Sequence, residues 1–249
     1  MIIGICGVGV VGGALKRLLQ KNPDHDVRSY DPVLGLDDKL SDCDAIFICV
    51  PVPTRTNRTQ DYSIVEKLLA EKIPKAIPTF LRSTVIPGTT DALATKWGHS
   101  LWFMPEFLTE RTADLDVSKQ PIVCGSTGIL YYLVKEIFPD KEIIYMTNKE
   151  AEFSKYVHNC FGATKVTYFN WVYKSAKANG LNYSKVLKGA LSSGLIEETH
   201  TQVPGPDGQF GYGGKCLPKD LSALIGWGGV TSPLLSTVES ANIMNRRGK

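Results

Sequence analysis

Near its first residue the sequence reads Ile2-Ile3-Gly4-Ile5-Cys6-Gly7-Val8-Gly9-Val10-Val11-Gly12. Ile2–Cys6 is a short apolar run of the kind that forms a buried strand, and the glycines that follow have the spacing G-x-G-x-x-G. In this pattern the first glycine permits a tight turn. The second lets the backbone approach a pyrophosphate, and the third lets helix and strand pack closely. The stretch therefore predicts a dinucleotide site at the start of a first helix.

Asp31 strengthens this interpretation, because it follows the second predicted strand, Val27–Tyr30, and lies 19 residues after Gly12. A carboxylate at this place accepts hydrogen bonds from ribose hydroxyls and repels a 2′-phosphate, which favours NAD over NADP. The alternative is a turn with packing glycines and a capping aspartate. The strand, glycine loop and helix in sequence favour the cofactor. The predicted contacts here are Gly7, Gly9, Val10, Val11, Gly12 and Asp31.

The first 147 residues alternate short apolar runs with amphipathic stretches. Predicted strands are Ile2–Cys6, Val27–Tyr30, Ala45–Val50, Ile77–Leu81, Leu101–Met104, Ile122–Cys124 and Ile143–Met146, and predicted helices are Val10–Gln20 and Asp61–Ile73. Such alternation implies right-handed βαβ crossovers. We therefore expect an α/β fold, with a Rossmann-type parallel sheet domain over residues 1–147.

The pattern becomes helical after Thr147. Lys149–Ala178 has apolar residues at helical spacing, without proline, and ends at Asn179-Gly180, a good helix stop. Its apolar positions are Phe153, Tyr156, Val157, Cys160 and Phe161. Tyr183–Ser192 and Ser232–Asn245 are also predicted helices. Residues 148–249 are therefore predicted to form a mostly helical domain.

Composition excludes several classes of protein. The 249 residues are 43% hydrophobic, enough for a sizeable core, and the net charge of +3 gives no reason to expect nucleic-acid binding. Six scattered cysteines without a C-x-x-C pair or a Cys/His cluster at zinc spacing predict reduced thiols and no metal site. We expect a cytoplasmic protein without a signal peptide, because no basic segment precedes the apolar start. No apolar run reaches the roughly 18 residues of a membrane helix.

A second informative stretch is Gly211-Tyr212-Gly213-Gly214-Lys215-Cys216-Leu217-Pro218-Lys219-Asp220. Its glycines remove side chains where the backbone passes close to a ligand. Pro218 favours the start of a helix, and a thiol near a helix N-terminus between Lys215 and Lys219 should have thiolate character. A lone cysteine is more often a small buried hydrophobe, but this setting favours a nucleophile at Cys216.

The run G-x-G-G-x-C-x-P-K-D resembles the nucleophile motif of the UDP-glucose/GDP-mannose dehydrogenase family. Three further segments resemble family motifs in the same order: Ser83–Thr90, Pro105–Glu110 and Ala151–Tyr156 followed by Asn159. Val50–Thr54 is a looser match to the family's cofactor loop, and Met104 replaces an asparagine before Pro105. The resemblance implies NAD-dependent oxidation of a nucleotide sugar at C6 to the uronic acid, by two hydride transfers through a Cys216 thiohemiacetal and thioester.

The resemblance also implies roles for individual residues. Lys155 and Asn159 would stabilise an oxyanion, and Asp220 would hold the base water or Lys155. Glu106, with Thr84, would position the hydrolytic water. Further implied cofactor contacts are Val50, Pro51, Thr54, Ser83, Thr84 and Glu110. Implied substrate contacts are Glu106, Phe107, Leu108, Lys155, Asn159, Phe210, Gly211, Tyr212 and Gly213.

The helical spacing alone places Glu152, Lys155 and Asn159 within about 60° of one helix face. An exposed polar stripe is the alternative for such a triplet. The family resemblance further implies a homodimer formed through the long helix and its neighbours. It also implies a C-terminal nucleotide-binding domain that these 249 residues do not contain.

The sequence departs from the family at two further places. His200 lies near the position of a family arginine, and Leu36 replaces a basic residue after Asp31. Two other functions stay open: a β-hydroxyacid-type dehydrogenase, which uses a lysine but no cysteine, and an NAD-binding protein that has lost catalysis. The G-x-G-G-x-C-x-P-K-D run argues against the first. The combination of Cys216, Lys155, Asn159, Glu106 and Asp220 argues against the second.

Overall fold

A computed structural model describes residues 1–227 and 232–247. The chain divides into two compact units. The N-terminal unit contains residues 1–55 and 60–155, and the helical unit contains residues 56–59 and the chain from Tyr156 onward. The division falls inside a helix, after Lys155. The domain boundary predicted between residues 147 and 148 stays a prediction.

The N-terminal unit is built around a six-stranded sheet of order β3-β2-β1-β4-β5-β6. Its strands are β1 Ile2–Cys6, β2 Asp26–Asp31, β3 Leu36–Asp37, β4 Ala45–Ile48, β5 Thr79–Leu81 and β6 Leu101–Phe103. All neighbouring strands pair in parallel except β2 and β3. The predicted parallel α/β fold is therefore confirmed, with a two-residue antiparallel edge strand that the sequence pattern missed.

Two predicted strands do not join this sheet. β7, Ile122–Cys124, and β8, Ile143–Tyr145, pair in parallel as a separate two-stranded sheet. The sequence pattern predicts both strands but does not predict that they pair separately. β5 is also shorter than predicted, because Pro78 has no N–H to donate to a ladder and Ile77 is bonded in a turn to Pro74.

Both faces of the central sheet are covered. Every residue of β4 is buried, with Ile46 and Ile48 in one apolar cluster and Ala45 and Phe47 in another. Continuous burial is typical of a parallel strand that has helices on both sides. The helices of this unit are α1 Val10–Leu19, α2 Ser63–Glu71, α3 Thr89–Trp97, α4 Ala113–Lys119 and α5 Tyr131–Ile137.

The helical unit confirms the predicted change of pattern. The long helix α6, Asn148–Ala178, begins in the N-terminal unit and continues into the helical one. It is followed by α7 Tyr183–Leu191, α8 Leu217–Gly226 and α9 Pro233–Arg247. Arg58, from the short segment assigned to this unit, makes two hydrogen bonds of 2.7 and 3.3 Å to Glu239 of α9. Within the described residues, no helix is long and apolar enough to cross a bilayer.

Glu152 of α6 anchors the start of α3. Its side chain is completely buried, and its two carboxylate oxygens accept hydrogen bonds from the backbone N–H groups of Gly88 and Thr90. These donors lie at the N-terminus of α3, where free N–H groups need an acceptor. Lys155 and Asn159 are also buried, at 3% and 5% exposure. The exposed polar stripe considered for these three residues is therefore wrong.

The ionisation of Glu152 should make stability depend on pH. Burial raises the pKa of Glu152 to about 7 from 4.5, so between these values the folded chain binds more protons than the unfolded one. The free energy of unfolding should then fall as pH rises from about 4.5 to 7, by at most about 3 kcal/mol. Denaturant unfolding at pH 5 and pH 8 should show a smaller difference in Glu152→Gln. An equal difference in both proteins would contradict this assignment.

Candidate active site

The three motif glycines have different surroundings. Gly7 has a φ of +86°, which favours glycine, and a Cβ on Gly12 would lie 1.9 Å from the carbonyl oxygen of Gly7. Gly7 is therefore required by its backbone conformation, and Gly12 by the close packing of α1 against the loop after β1. A Cβ on Gly9 would meet no protein atom within 4 Å. The open space at the N-cap of α1 fits the close approach of a phosphate group.

Asp31 links the end of β2 to this glycine loop. One carboxylate oxygen accepts a hydrogen bond from the N–H of Val8 at 2.8 Å, and the other accepts one from Val33 at 3.1 Å. Each carboxylate oxygen has a further lone pair. Asp31 is thus held rigidly while keeping acceptor capacity for ribose hydroxyls.

A cleft of about 440 Å³ contains three of the predicted cofactor contacts, Gly9, Val10 and Glu110, together with Arg17 and Arg111. The structure therefore brings Glu110, which is about a hundred residues away in sequence, to the glycine loop. The residues present fit a dinucleotide.

The remaining predicted cofactor contacts follow β4 and β5. The hydroxyl of Ser83 donates to the carbonyl of Val50 at 2.6 Å, which ties the two loops together. The carbonyl of Thr84 accepts from the Gln60 amide at 3.1 Å, and Thr54 forms an antiparallel bridge with Gln60. Pro51, in the loop after β4, is exposed. Val11 lies in α1 instead, and it is partly buried.

Two glycine variants separate packing from cofactor binding. Gly9→Ala should fold normally but bind NAD at least about tenfold more weakly, or about 1.4 kcal/mol, because the methyl group enters the phosphate space. Gly12→Ala should destabilise the fold by about 2–4 kcal/mol, since its methyl group clashes with backbone. Calorimetric titration with NAD and thermal unfolding check the two outcomes. Unchanged NAD affinity in Gly9→Ala would contradict the assignment.

Glu106 and Lys155 form a buried ion pair in the N-terminal unit. Their side chains are 8% and 4% exposed, and the Lys155 Nζ lies 2.9 Å from the Glu106 Oε1. Lys155 also donates to the backbone carbonyl of Glu106, and the second carboxylate oxygen accepts from the Leu108 N–H at 2.6 Å. Lys155 further lies 5.5 Å from the centre of the Phe107 ring. The loop after β6 thus encloses the ammonium group.

Cys216 is the N-cap of α8, and it is the exposed one of the six cysteines. α8 begins at Leu217, so that Pro218 occupies the second helical position rather than the first. Exposure distinguishes Cys216 from a structural buried cysteine such as Cys160. Burial raises the pKa of the Cys160 thiol to about 12.

Asp220 lies one turn into α8 and is 1% exposed. Its carboxylate accepts a hydrogen bond of 2.6 Å from the amide nitrogen of Asn159 and is paired with Lys219. The amide oxygen of Asn159 lies 3.0 Å from the His158 ring. Asp220 therefore orients the Asn159 amide. Within the helical unit, the Asp220 carboxylate is hydrogen-bonded to the side chains of Asn159 and Lys219.

The glycine-rich loop before Cys216 is held by side chains from α6 and α9. Asn170 accepts from the Gly211 N–H at 2.9 Å. Asn242 accepts from the Tyr212 N–H at 2.7 Å and donates to the Tyr212 carbonyl, which also accepts from Arg246.

These contacts bear on two glycines. A Cβ on Gly211 would lie 2.3 Å from Asn242, and one on Gly213 would lie 2.2 Å from Arg246. The expectation that these glycines make room for a ligand is therefore incomplete for Gly211, which its φ of +74° and its packing against Asn242 already require. At Gly213 the close contact is only with the flexible end of the Arg246 side chain. Phe210, another predicted substrate contact, packs 5.6 Å from the Tyr173 ring.

Sequence reasoning missed the side chains that support this loop, Asn170, Asn242 and Arg246. Their partners are 30 to 41 residues away, so no local pattern marks them. His200, the departure from the family pattern, has a φ of 66° and its ring lies beside Gly162. Partial burial lowers the pKa of His200, with Lys165 and His158 adding to the effect.

Comparison with known proteins agrees with this geometry. Residues 15–129 match the NAD binding domain of the UDP-glucose/GDP-mannose dehydrogenase family, and residues 149–246 match its central domain. The chain belongs to this family. The match confirms the resemblance and the NAD cofactor that the sequence predicts. The glycine loop lies just before the first matched range.

Named relatives in the family differ in substrate. Over 175 residues, 66% of this chain, it is 31% identical to a UDP-glucose 6-dehydrogenase of Campylobacter jejuni, of which it covers 43%. Over 208 residues, 74% of this chain, it is 34% identical to a GDP-mannose 6-dehydrogenase of Pseudomonas aeruginosa, of which it covers 46%. The chain thus spans about half the length of these relatives.

A UDP-D-ManNAc dehydrogenase of Pyrococcus horikoshii shares the fold. The TM-score is 0.82 at 20% identity, and the match covers 98% of this chain and 68% of that one.

Proposed function

We propose that this chain is the catalytic part of an NAD-dependent nucleotide-sugar 6-dehydrogenase, and that its substrate is UDP-glucose or a similar nucleotide sugar. The exposed Cys216 at the start of α8 carries the proposal, with Asp220 and Asn159 hydrogen-bonded one helical turn later. A helix N-terminus favours a thiolate. A dehydrogenase that only interconverts an alcohol and a carbonyl has no need of a nucleophile.

The overall reaction converts a CH₂OH group and water into a carboxylate, with two hydrides transferred to two NAD and three protons released. When bound, NAD supplies the hydride acceptor. In the first oxidation the alcohol loses its hydroxyl proton to a base and a hydride from C6, which gives an aldehyde. Lys155 and Asn159 are donors suited to stabilise the negative charge on the alcohol oxygen.

Cys216 carries the second oxidation. Its sulfur adds to the aldehyde carbon, and the aldehyde oxygen takes a proton to give a thiohemiacetal. Loss of the C6 hydride and the hydroxyl proton leaves a thioester. Water then attacks the thioester carbon and the thiolate leaves, which restores Cys216. Covalent capture prevents loss of the aldehyde and divides one difficult oxidation into easier steps.

Glu106 and Asp220 prepare these groups. The Glu106 carboxylate, with Thr84, is proposed to orient the hydrolytic water, and two of the three Lys155 N–H donors are engaged by Glu106. The third donor is left for a substrate oxygen. Asp220 fixes the Asn159 amide so that its nitrogen serves as donor. Several expectations stay predictions: the substrate contacts at Phe107, Leu108 and residues 210–213, the remaining cofactor contacts, and a cytoplasmic location.

Cys216→Ser should keep the first oxidation and lose the second. The first hydride transfer does not need the sulfur, but the second needs the thiohemiacetal, so acid production should fall by several orders of magnitude while NAD affinity is unchanged. Cys43→Ser is the matched control, because burial raises the pKa of the Cys43 thiol to about 11 and it should retain acid production.

Nucleotide sugars would be screened with NADH as the readout, and trapped adducts located by mass spectrometry. Two NADH per substrate from Cys216→Ser, with no sugar ever found on Cys216 of the unchanged protein, would contradict the covalent mechanism.

We also propose that α6 forms a homodimer interface. Its apolar positions lie on two faces: Tyr156 and Cys160 are buried, whereas Val157 and Phe161 are 52% and 67% exposed. Trp171, 62% exposed, and Tyr168, 53% exposed, continue the exposed face with rings 5.9 Å apart. Large exposed aromatic side chains on one face mark an association surface.

Phe161→Lys should weaken this association by about 30-fold or more, because a charge replaces a central aromatic residue. Sedimentation velocity over a range of micromolar concentrations measures the dissociation constant. Tyr132→Lys is the control, since Tyr132 is 85% exposed but lies on α5. A protein that is monomeric at these concentrations before substitution would contradict the proposal.

A further inference from the structure

Arg82 is a buried cation that the proposed mechanism does not use. It follows β5 directly, its backbone N–H donates to the Ile48 carbonyl at 2.9 Å, and only 4% of the residue is exposed. The Nε and Nη1 atoms of its guanidinium group have no acceptor among the described residues. Arg82 thus differs from Lys155, whose ammonium group is bonded to Glu106.

Such an arginine is costly to keep. Burial lowers the pKa of Arg82, but arginine starts from so high a pKa that it stays charged near neutrality. A buried charge without hydrogen bonds is unfavourable, and an apolar residue of similar size would often give a more stable protein. Fold stability therefore does not explain an arginine at this position.

The surroundings of Arg82 identify the group on which its charge acts. A small cavity of about 10 Å³, roughly the space of one water molecule, is lined by Arg82, Glu106, Leu108, Val117 and Gln120, among others. Arg82 and Glu106 are the titratable residues in this lining. Cys49 is the other titratable neighbour of Arg82, and burial raises the pKa of its thiol to about 12, so the thiol is neutral.

Glu106 therefore faces two cations, Lys155 on α6 and Arg82 after β5. Burial by itself opposes ionisation of Glu106. Lys155, the Leu108 N–H and Arg82 outweigh burial and hold the pKa of the Glu106 carboxyl below its ordinary value. Lys155 bonds the carboxylate directly, whereas Arg82 shares the small cavity with it.

We propose that Arg82 is a positioning residue, which keeps Glu106 as a fixed carboxylate from across this cavity. A carboxylate accepts a proton from water during thioester hydrolysis, whereas a neutral carboxyl group does not. The catalytic consequence rests on the proposed function. The charge state of Glu106 is a property of the N-terminal unit that is measurable without substrate.

Arg82→Met tests the proposal. The midpoint of thermal unfolding should stay equal or rise, because a buried cation whose Nε and Nη1 lack acceptors is removed. The pKa of Glu106, followed by carbon NMR of ¹³C-labelled glutamate, should rise by about one unit or more. Arg82→Lys should restore a low Glu106 pKa. In the profile of kcat/KM against pH, the acidic limb should shift to higher pH in Arg82→Met. In Arg82→Lys it should lie at its original pH.

Lys135→Met is the matched control. The Lys135 ammonium group donates to the carbonyls of Pro139 and Lys141 at 3.1 and 2.8 Å. This variant should unfold at a lower temperature and leave the titration of Glu106 unchanged. Arg82→Gln is a second neutral variant, should the methionine variant fail to fold.

An unchanged Glu106 titration in the neutral variants, or no recovery in Arg82→Lys, would overturn the proposal. A lower unfolding temperature of Arg82→Met without a shift in the pKa of Glu106 would also overturn it, because Arg82 would then serve only the stability of the fold. If no nucleotide sugar is oxidised by the unchanged protein, the proposed function fails, while the NMR result still decides the role of Arg82.

Discussion

The N-terminal unit holds the charges of Glu106 and Lys155 together in its interior, away from water. Burying either charge without the other would be costly, so the pair couples the loop after β6 to the start of α6. Lys155 bonds both the side chain and the backbone carbonyl of Glu106, which fixes the loop conformation as well as the charges. Losing one member of such a pair costs about 3–5 kcal/mol. Variants at either position therefore change stability and chemistry together.

The parts of the fold that have a local cause could be predicted from the sequence. The apolar run at β1, the glycine loop and the long proline-free α6 each carry their own signal, and the structure contains all three. The observed start of a helix differs from the predicted one where a single side chain accepts a hydrogen bond from its first residue. The Asp61 carboxylate accepts from the Ser63 N–H at 3.0 Å, so Asp61 precedes α2 rather than forming part of it.

The elements that were missed have distant causes. α3 has no side-chain cap of its own, because Glu152, more than sixty residues later, accepts the hydrogen bonds of its first turn. α4 and α5 are seven residues each, about two turns, which is too short to show a helical period. The separate pairing of β7 with β8 joins segments that are distant in sequence, such as Ile122 and Ile143, and the pattern within one strand does not encode its partner.

The candidate site divides in the same way. The motifs predict Cys216, Lys155 and Glu106 as the reacting groups, because chemistry restricts which residue types could serve there. Their supports are set by folding partners: Asp220 for the Asn159 amide, and Asn242 with Arg246 for the loop before Cys216. A motif names the reacting groups and leaves their orientation to residues outside it.

Glycines show why a motif cannot be interpreted from spacing alone. Gly12 and Gly211 both cannot carry a side chain: the backbone of Gly7 blocks the first, and a φ of +74° together with Asn242 blocks the second. Gly9 is the contrasting case, because protein packing leaves room for a methyl group there. Protein packing therefore does not explain the glycine at position 9, whereas a phosphate at the N-terminus of α1 would. Within G-x-G-x-x-G, the middle glycine is the one that argues for a bound cofactor, while the outer two argue only for the fold.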